Sequence, residues 1–144
     1  MKIFINKIER VIFFCIIFLA LASSSFAEIQ EFKYFSVDVP EYWTAQEKDN
    51  EVRITANDKT GELVIIASEP EEKTIAEIAS EFSAKFGSSE LVSDDEGTFT
   101  FEFSDGEGQA TITGDENFYM VIMASGFEKN GDTLGEILNS LEMK

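Results

Sequence analysis

Histidine is absent from this 144-residue chain, and cysteine occurs only once, at Cys15. Because Ser–His–Asp and Cys–His catalysis both require a histidine, these two mechanisms are excluded. Zinc sites that depend on histidine or cysteine ligands are excluded for the same reason. The sequence also contains no G-x-x-x-x-G-K-[ST] phosphate loop and no G-x-G-x-x-G motif after a predicted strand. The chain therefore lacks the residues of the commonest enzyme sites.

Basic residues are scarce, with 11 Lys and Arg against 28 Asp and Glu and a net charge of −17. A surface of this sign repels phosphate backbones and anionic lipid head groups, so we expect no binding to nucleic acid. Abundant carboxylates leave a two-carboxylate hydrolase formally open, although no pair stands out. The acidity itself has two interpretations: solubility through self-repulsion, or attraction of cations or of a basic partner.

Long apolar runs are also lacking. The run Val11–Ala22 is well short of the roughly 20 residues that span a bilayer. It follows three basic residues and precedes the small-residue segment Ser23–Ala27, an order typical of a secretory signal peptide. An uncleaved membrane anchor is the alternative, but a longer span would bury Lys7, Glu9 and Arg10. We therefore expect an exported protein, located in the periplasm or outside the cell.

Signal cleavage is predicted between Ala27 and Glu28, because Ser25 and Ala27 place small residues at positions −3 and −1. Residues 1–27 would then be removed, together with the only cysteine. The remaining residues 28–144 have the length of one domain, which must be held together by an apolar core rather than by disulfides. We expect this domain to be monomeric and not inserted in a membrane.

Two segments have the apolar spacing of an amphipathic helix, Thr74–Phe86 and Leu134–Leu141. A threonine begins the first segment and directly precedes the second, and in both cases a glutamate follows it three residues later, the pattern of a capping box. Gly87 predicts a left-handed end to the first helix. The two predicted boxes are Thr74 with Glu77 and Thr133 with Glu136.

Most of the other apolar residues follow the pattern of β-strands, either with period two or as short runs that predict coverage on both faces. Turn-forming segments join them as hairpins, so we predict an antiparallel sheet carrying two main helices, an α+β fold. The predicted turns are Asn57–Gly61, Asp94–Gly97, Asp105–Gly106 and Gly114–Asn117. The predicted strands are Phe35–Val39, Val52–Ala56, Leu63–Ala67, Phe99–Phe103, Gln109–Ile112 and Tyr119–Ala124, of which the third and the last are apolar on both faces.

The strand Tyr34–Val39 (YFSVDV) is followed at once by Pro40–Trp43 (PEYW), and the predicted second helix ends in Ile137–Leu141 (ILNSL). These segments and the order of elements resemble the PsbP-like superfamily, which includes photosystem II extrinsic proteins and bacterial envelope proteins of the DcrB type. The resemblance covers nearly all of the chain after the signal. It implies an antiparallel sheet sandwiched between helices, and an accessory or binding protein rather than an enzyme.

Clustered acidic turns are one candidate site. Calcium takes six to eight oxygen ligands, and loop carboxylates could supply some of them. Neither the turn with Asp94–Glu96 nor the turn with Asp105 and Glu107 has the spacing of an EF-hand. The alternative interpretation is that both are solvated turns, formed by residues that tolerate a positive φ. The sequence therefore assigns no metal and no cofactor. The candidate residues are Asp94, Asp95, Glu96, Asp105 and Glu107.

Aromatic residues give two further candidates. Tyr42 and Trp43 follow a proline and are either a contact for a partner or a cover over the sheet edge. The phenylalanines of Phe99–Phe103, together with Tyr119–Ala124, either line an apolar pocket or fill the core.

These features together predict an exported, non-catalytic accessory or binding protein of the cell envelope. The alternative is a carrier of a small ligand or a cation such as calcium, using the acidic turns or a cleft beside the sheet. The partner would be an envelope protein or a small ligand, which the sequence does not identify.

Overall fold

The structure is a computed structural model that describes residues 27–144. The predicted signal peptide lies outside these residues apart from Ala27. Two α-helices, α1 (Ile75–Phe86) and α2 (Phe127–Asn139), and one 3₁₀ turn (Ser104–Gly106) accompany ten strands. Neither helix is long and apolar enough to cross a membrane. The strands are β1 (Glu28–Glu31), β2 (Phe35–Val39), β3 (Trp43–Lys48), β4 (Glu51–Ala56), β5 (Glu62–Ser68), β6 (Val92–Ser93), β7 (Phe99–Phe103), β8 (Gly108–Gly114), β9 (Tyr119–Ser125) and β10 (Glu142–Met143).

The strands form two antiparallel sheets. The large sheet has seven strands in the order β3-β4-β5-β9-β8-β7-β6, and the small sheet has three in the order β1-β2-β10. Every paired neighbour is antiparallel, and hairpins connect most of the large sheet. The predicted α+β fold with an antiparallel sheet is confirmed.

One face of the large sheet carries the larger core cluster. Residues from β4, β5 and β9 pack there against β2 and α2. Since alternate residues of a strand point to opposite faces, Leu63, Ile65 and Ala67 of β5 all lie on this side and are fully buried. The rest of this cluster is Phe35, Val37, Val39, Val52, Ile54, Met120, Ala124, Leu134, Ile137 and Leu141.

The opposite face carries a second, smaller cluster under α1. Ile78 and Ala79 of α1 pack there on β7, β8 and β9, whose buried residues are Phe101, Ala110, Ile112 and Val121. The two helices therefore lie on opposite faces of the sheet, as expected for the sandwich. They are also offset, because α2 covers the β4–β5 side whereas α1 covers the β7–β8 side. The face beside α1, over β4 and β5, has no helix among the described residues.

Helix α1 begins where the sequence predicts. The Glu77 N–H donates to Thr74 Oγ1 at 3.1 Å and the Thr74 N–H donates to Glu77 Oε2 at 2.9 Å, which confirms the capping box. The predicted left-handed conformation of Gly87 is wrong, because its φ is −69°. Glycine is required there for space, since an added Cβ would lie 2.6 Å from the Ser83 carbonyl oxygen.

Helix α2 begins seven residues earlier than predicted, at Phe127. The capping box at Thr133 and Glu136 is wrong because both residues lie inside the helix. Gly126 precedes the first turn with φ 85° and has no side chain to cap it. A Cβ on Gly126 would lie 2.1 Å from the Thr60 carbonyl oxygen, so the close approach of the Asn57–Gly61 turn fixes this helix start.

All six predicted strands are present, and the four predicted turns connect strands as expected. Four further strands are present that the sequence pattern did not predict. Two of them have only two residues, too short for a period, and the other two are edge strands with mostly exposed side chains. The missed strands are β1, β3, β6 and β10.

Candidate functional site

The acidic turns proposed as a cation site lie at opposite ends of one strand. The Asp94–Gly97 turn precedes β7, and the turn with Asp105 and Glu107 follows it. Five strand residues separate them by roughly 15 Å, so one ion cannot contact both turns. Across residues 27–144, no three acidic side chains are grouped in a way that could hold a metal ion.

The carboxylate of Asp94 is engaged by its own turn. Its Oδ1 accepts hydrogen bonds from the Glu96 N–H at 2.9 Å and the Thr98 N–H at 2.8 Å. Asp105 has a left-handed backbone with φ 54°, and its N–H donates to Ser88 Oγ at 3.1 Å. These contacts make both segments well-formed turns, and the structure gives the cation hypothesis no added support.

Tyr42 and Trp43, the candidate partner contacts, have different environments. The Tyr42 side chain is 74% exposed, on a backbone with the unusual φ of 69°. Trp43 is half-buried against the larger core, and its ring lies so close to Gly61 that an added Cβ there would be 2.9 Å from Cη2. Tyr42 is therefore available for contact with a partner, whereas Trp43 is mainly a packing residue.

A groove of about 560 Å³ lies on the large sheet beside α1. Its floor is formed by strands β4, β5 and β9, and α1 forms one wall. Within the described part of the chain, the side opposite to α1 has no helix or loop as a wall and is bordered only by side chains of β4 and β5. The lining residues are Glu51, Arg53, Glu62, Val64, Ile66, Glu81, Phe82, Lys85, Phe86, Phe103, Met123 and Ser125.

Strand register explains how the groove arises. Val64 pairs with Met123, and Met123 pairs with Ala110 on the neighbouring strand. Ala110 is buried under α1, Met123 packs at the edge of that cluster, and both Met123 and the largely buried Val64 line the groove. Arg53 completes this row of cross-strand neighbours on β4. Along this row, from β8 to β4, the same face of the sheet therefore carries first the core under α1, then the apolar part of the groove, and finally its charged rim.

Three charged side chains form the outer rim of the groove. Arg53 Nη1 donates to Glu62 Oε1 at 2.7 Å, and Arg53 Nη2 donates to Glu51 Oε1 at 2.8 Å. The hydrogen bond to Glu62 is the main reason why the pKa of Arg53 is raised above its ordinary value, with Glu51 adding to it. All three side chains are still exposed to water, so the rim is polar and accessible.

The wall formed by α1 is aromatic and carries charge along its edge. The Phe82 and Phe86 rings stack with centroids 6.2 Å apart, and Lys85 Nζ lies 5.0 Å above the Phe86 ring. Glu81 accepts two hydrogen bonds from Lys73, at 2.8 and 2.9 Å, which raise the pKa of that lysine. Phe86 is 42% exposed, so the groove presents an aromatic surface to solvent.

The sequence identified part of this site. Phe103 and Met123, from the two segments considered for an apolar pocket, do line the groove, whereas Phe101 and Val121 fill the core. The sequence reasoning missed Arg53, Glu51 and Phe86. The prediction that Leu63–Ala67 is covered on both faces holds only in part, because Ile66 lies in the groove. Strand periodicity places the Arg53 side chain on the face of β4 opposite to that of the buried Val52 and Ile54. No feature of the sequence shows that α1 leaves this face of β4 and β5 uncovered.

The lining of the groove offers several kinds of non-covalent contact. The groove combines apolar and aromatic surface with carboxylates that already accept hydrogen bonds from Arg53 and Lys73. These carboxylates raise the pKa values of Arg53 and Lys73, so both basic side chains stay cationic. The chemical groups in the groove can therefore bind and orient a ligand or a partner surface.

A search of solved structures finds the same fold in a cyanobacterial protein. The solution structure of cyanobacterial PsbP (CyanoP) from Synechocystis sp. PCC 6803 matches with a TM-score of 0.53 and 13% identity, covering 87% of this chain and 96% of that one. The predicted resemblance to the PsbP-like superfamily is thus confirmed at the level of the fold.

A crystal structure from Bacteroides thetaiotaomicron VPI-5482 is also similar, with a TM-score of 0.48 and 18% identity. The alignment covers 85% of this chain and 49% of that one, so the present chain spans about half of the Bacteroides protein. No protein-family model and no curated protein matches the sequence.

Proposed function

We propose that this chain is an exported, non-catalytic accessory protein of the cell envelope that binds a partner through the groove beside α1. The observation that carries the proposal is the groove itself, with an apolar floor, an aromatic wall and a charged rim in one accessible place. The fold adds support, because the sequence resemblance to PsbP-like proteins implies an accessory or binding role. Recognition through such a surface needs no histidine, cysteine or cofactor.

Export is supported by the position of the predicted cleavage site. Glu28 is the first residue of β1 and pairs with Val39 of β2. Cleavage after Ala27 would therefore leave both sheets complete. Amino-terminal sequencing of the protein from cells should find Glu28 first, and Ala27→Tyr should block processing because a large residue at −1 is a poor signal-peptidase substrate. Retention of residues 1–27 in the native protein would contradict export with cleavage.

Binding through the groove can be tested by photo-crosslinking in cells of the source organism. A benzophenone amino acid at position 86 would face the groove, and the same substitution at position 127 is the matched control. Phe86 and Phe127 are both 42% exposed, but Phe127 begins α2 on the other face of the sheet. We expect a discrete adduct from position 86 alone. Identical adducts from both positions, or none from position 86, would contradict the proposal.

A small ligand is the second candidate occupant of the groove. The volume of about 560 Å³ falls within the range of known ligand pockets. Ligand pockets usually enclose most of a small molecule, whereas this groove has a wall on one side only, which favours a larger partner. Native mass spectrometry of the protein from its own cells would detect a stoichiometric bound compound if the small-ligand alternative holds.

A further inference from the structure

We propose that the groove binds a basic amphipathic helix of a partner protein, laid alongside α1 over strands β5 and β9. This inference rests on the proposed function, because it assigns a chemistry to the partner of the same groove. Three independent features support it: the spacing between α1 and the open strands, the state of the strand backbones, and the placement of carboxylates on the rim.

The spacing fits a second helix. Helix α1 packs over β7 and β8, and β9 and β5 are the next two strands along the sheet. The axes of packed helices usually lie about 10 Å apart, which amounts to about two strand spacings. A helix beside α1 would therefore have its axis between β9 and β5, where Val64, Ile66 and Met123 form the floor. Phe82 and Phe86 would contact its flank.

The strand backbones exclude addition of another strand on this floor. Strands β4, β5 and β9 are all interior strands, hydrogen-bonded to neighbours on either side. An occupant must therefore bind through side chains, as an amphipathic helix does when it lies in a groove. The floor runs from the Glu51–Ile66 pair to the Thr55–Glu62 pair, about 13 Å along the strands, which corresponds to about nine helical residues.

Carboxylates stand on both sides of the apolar floor. Glu81 and Lys85 lie on the α1 side, and Glu51 and Glu62 lie with Arg53 on the β4–β5 side. Because the lining holds three carboxylates and two basic residues, its remaining charge is negative and favours an occupant with an apolar stripe flanked by lysine or arginine. The net charge of −17 also attracts a basic partner from a distance and repels a second copy of this chain. Charge complementarity therefore favours a cationic helix.

A defined peptide tests the chemistry. The probe is a fluorescent leucine–lysine peptide of about 15 residues, long enough to be helical, with leucines at i, i+3, i+4 and i+7. Its leucine–glutamate counterpart is the charge control. In anisotropy titrations with the full chain, we expect saturable binding of the lysine peptide and none of the glutamate peptide. Equal binding of the two peptides would overturn the inference.

Two pairs of variants locate the binding. Phe86→Ser should weaken binding of the lysine peptide by about tenfold or more, because an exposed aromatic anchor is lost, whereas Phe127→Ser should leave it unchanged. Glu51→Gln with Glu62→Gln should weaken it clearly more than Glu128→Gln with Glu142→Gln, which changes the net charge equally. Equal effects within either pair would mean non-specific attraction and would overturn the inference.

The two proposals fail differently. A groove-specific adduct in cells combined with no binding of the lysine peptide would leave the proposed function standing and reject the basic helix. The reverse result, with peptide binding that depends on Phe86 but no cellular adduct from position 86, would support the chemistry of the groove and contradict its use in the cell. Circular dichroism of each variant would confirm that it is folded before binding is compared.

Discussion

The pair formed by Asp58 and Lys129 connects two parts of the chain that are far apart in sequence. Lys129 Nζ donates a hydrogen bond to Asp58 Oδ2 at 2.8 Å, which joins the Asn57–Gly61 turn to the first turn of α2. Thr60 donates to the other carboxylate oxygen through its N–H and its hydroxyl. These contacts hold the pKa of Asp58 well below its ordinary value of 3.8, and the hydrogen bond from Lys129 has the largest effect.

The titration of Asp58 tests this contact. A ¹³C NMR titration should give a carboxyl midpoint below 3.8 in the wild type, and Lys129→Met should move it upwards. Because the folded pKa is lowered, any stabilisation by the pair is fully present above the unfolded pKa of about 3.9 and disappears as the pH falls through the lowered folded value. High salt should weaken the effect of Lys129, since the pair is exposed. An unshifted midpoint in the wild type would contradict the pairing.

At the scale of single elements, the two helices show what a local motif can and cannot predict. Thr74 and Thr133 are each followed by glutamate three residues later, so both look like N-caps in the sequence. Only Thr74 is one, because α2 already begins at Phe127. The start of α2 depends on Gly126, which lies against the Thr60 backbone, and such a contact between distant segments leaves no local trace.

Stability measurements on two alanine variants can distinguish the N-cap residue Thr74 from Thr133, which lies inside α2. Thr74→Ala removes the acceptor for the Glu77 N–H and should lower the free energy of unfolding by about 1 kcal/mol. Thr133→Ala is the matched control and should not show this loss, because alanine is the better helix former inside a helix. Urea denaturation followed by circular dichroism measures both. Equal destabilisation would mean that α2 begins at Thr133 after all.

The fold was predictable because most of its strands alternate clearly and its turns carry strong local signals. Phe99–Phe103 and the Asp105–Gly106 turn are examples, since each could be assigned without knowledge of its neighbours. The groove was not predictable in the same way. Phe103 lines it and Phe101 is buried, although both have the same place in the strand pattern. What separates them is where α1 lies on the sheet, a tertiary property.

At the scale of the whole molecule, charge is the dominant feature. The chain carries 28 acidic and 11 basic residues, so most carboxylates repel one another even where pairs such as Arg53 with Glu62 form. These pairs are exposed, and exposed pairs contribute little to stability. The apolar clusters on the two faces of the sheet must therefore hold the fold together against a net electrostatic repulsion.

Salt should consequently stabilise this protein. Raising the ionic strength from about 0.01 to 0.15 M shortens the Debye length from about 30 to 8 Å, which screens repulsion across the surface more than the close attraction within ion pairs. We expect the melting temperature, measured by differential scanning calorimetry, to rise by a few degrees over this range. Sodium and potassium chloride should act alike, because the effect depends on ionic strength and not on a bound ion. A fall in melting temperature would show instead that the surface ion pairs outweigh the repulsion.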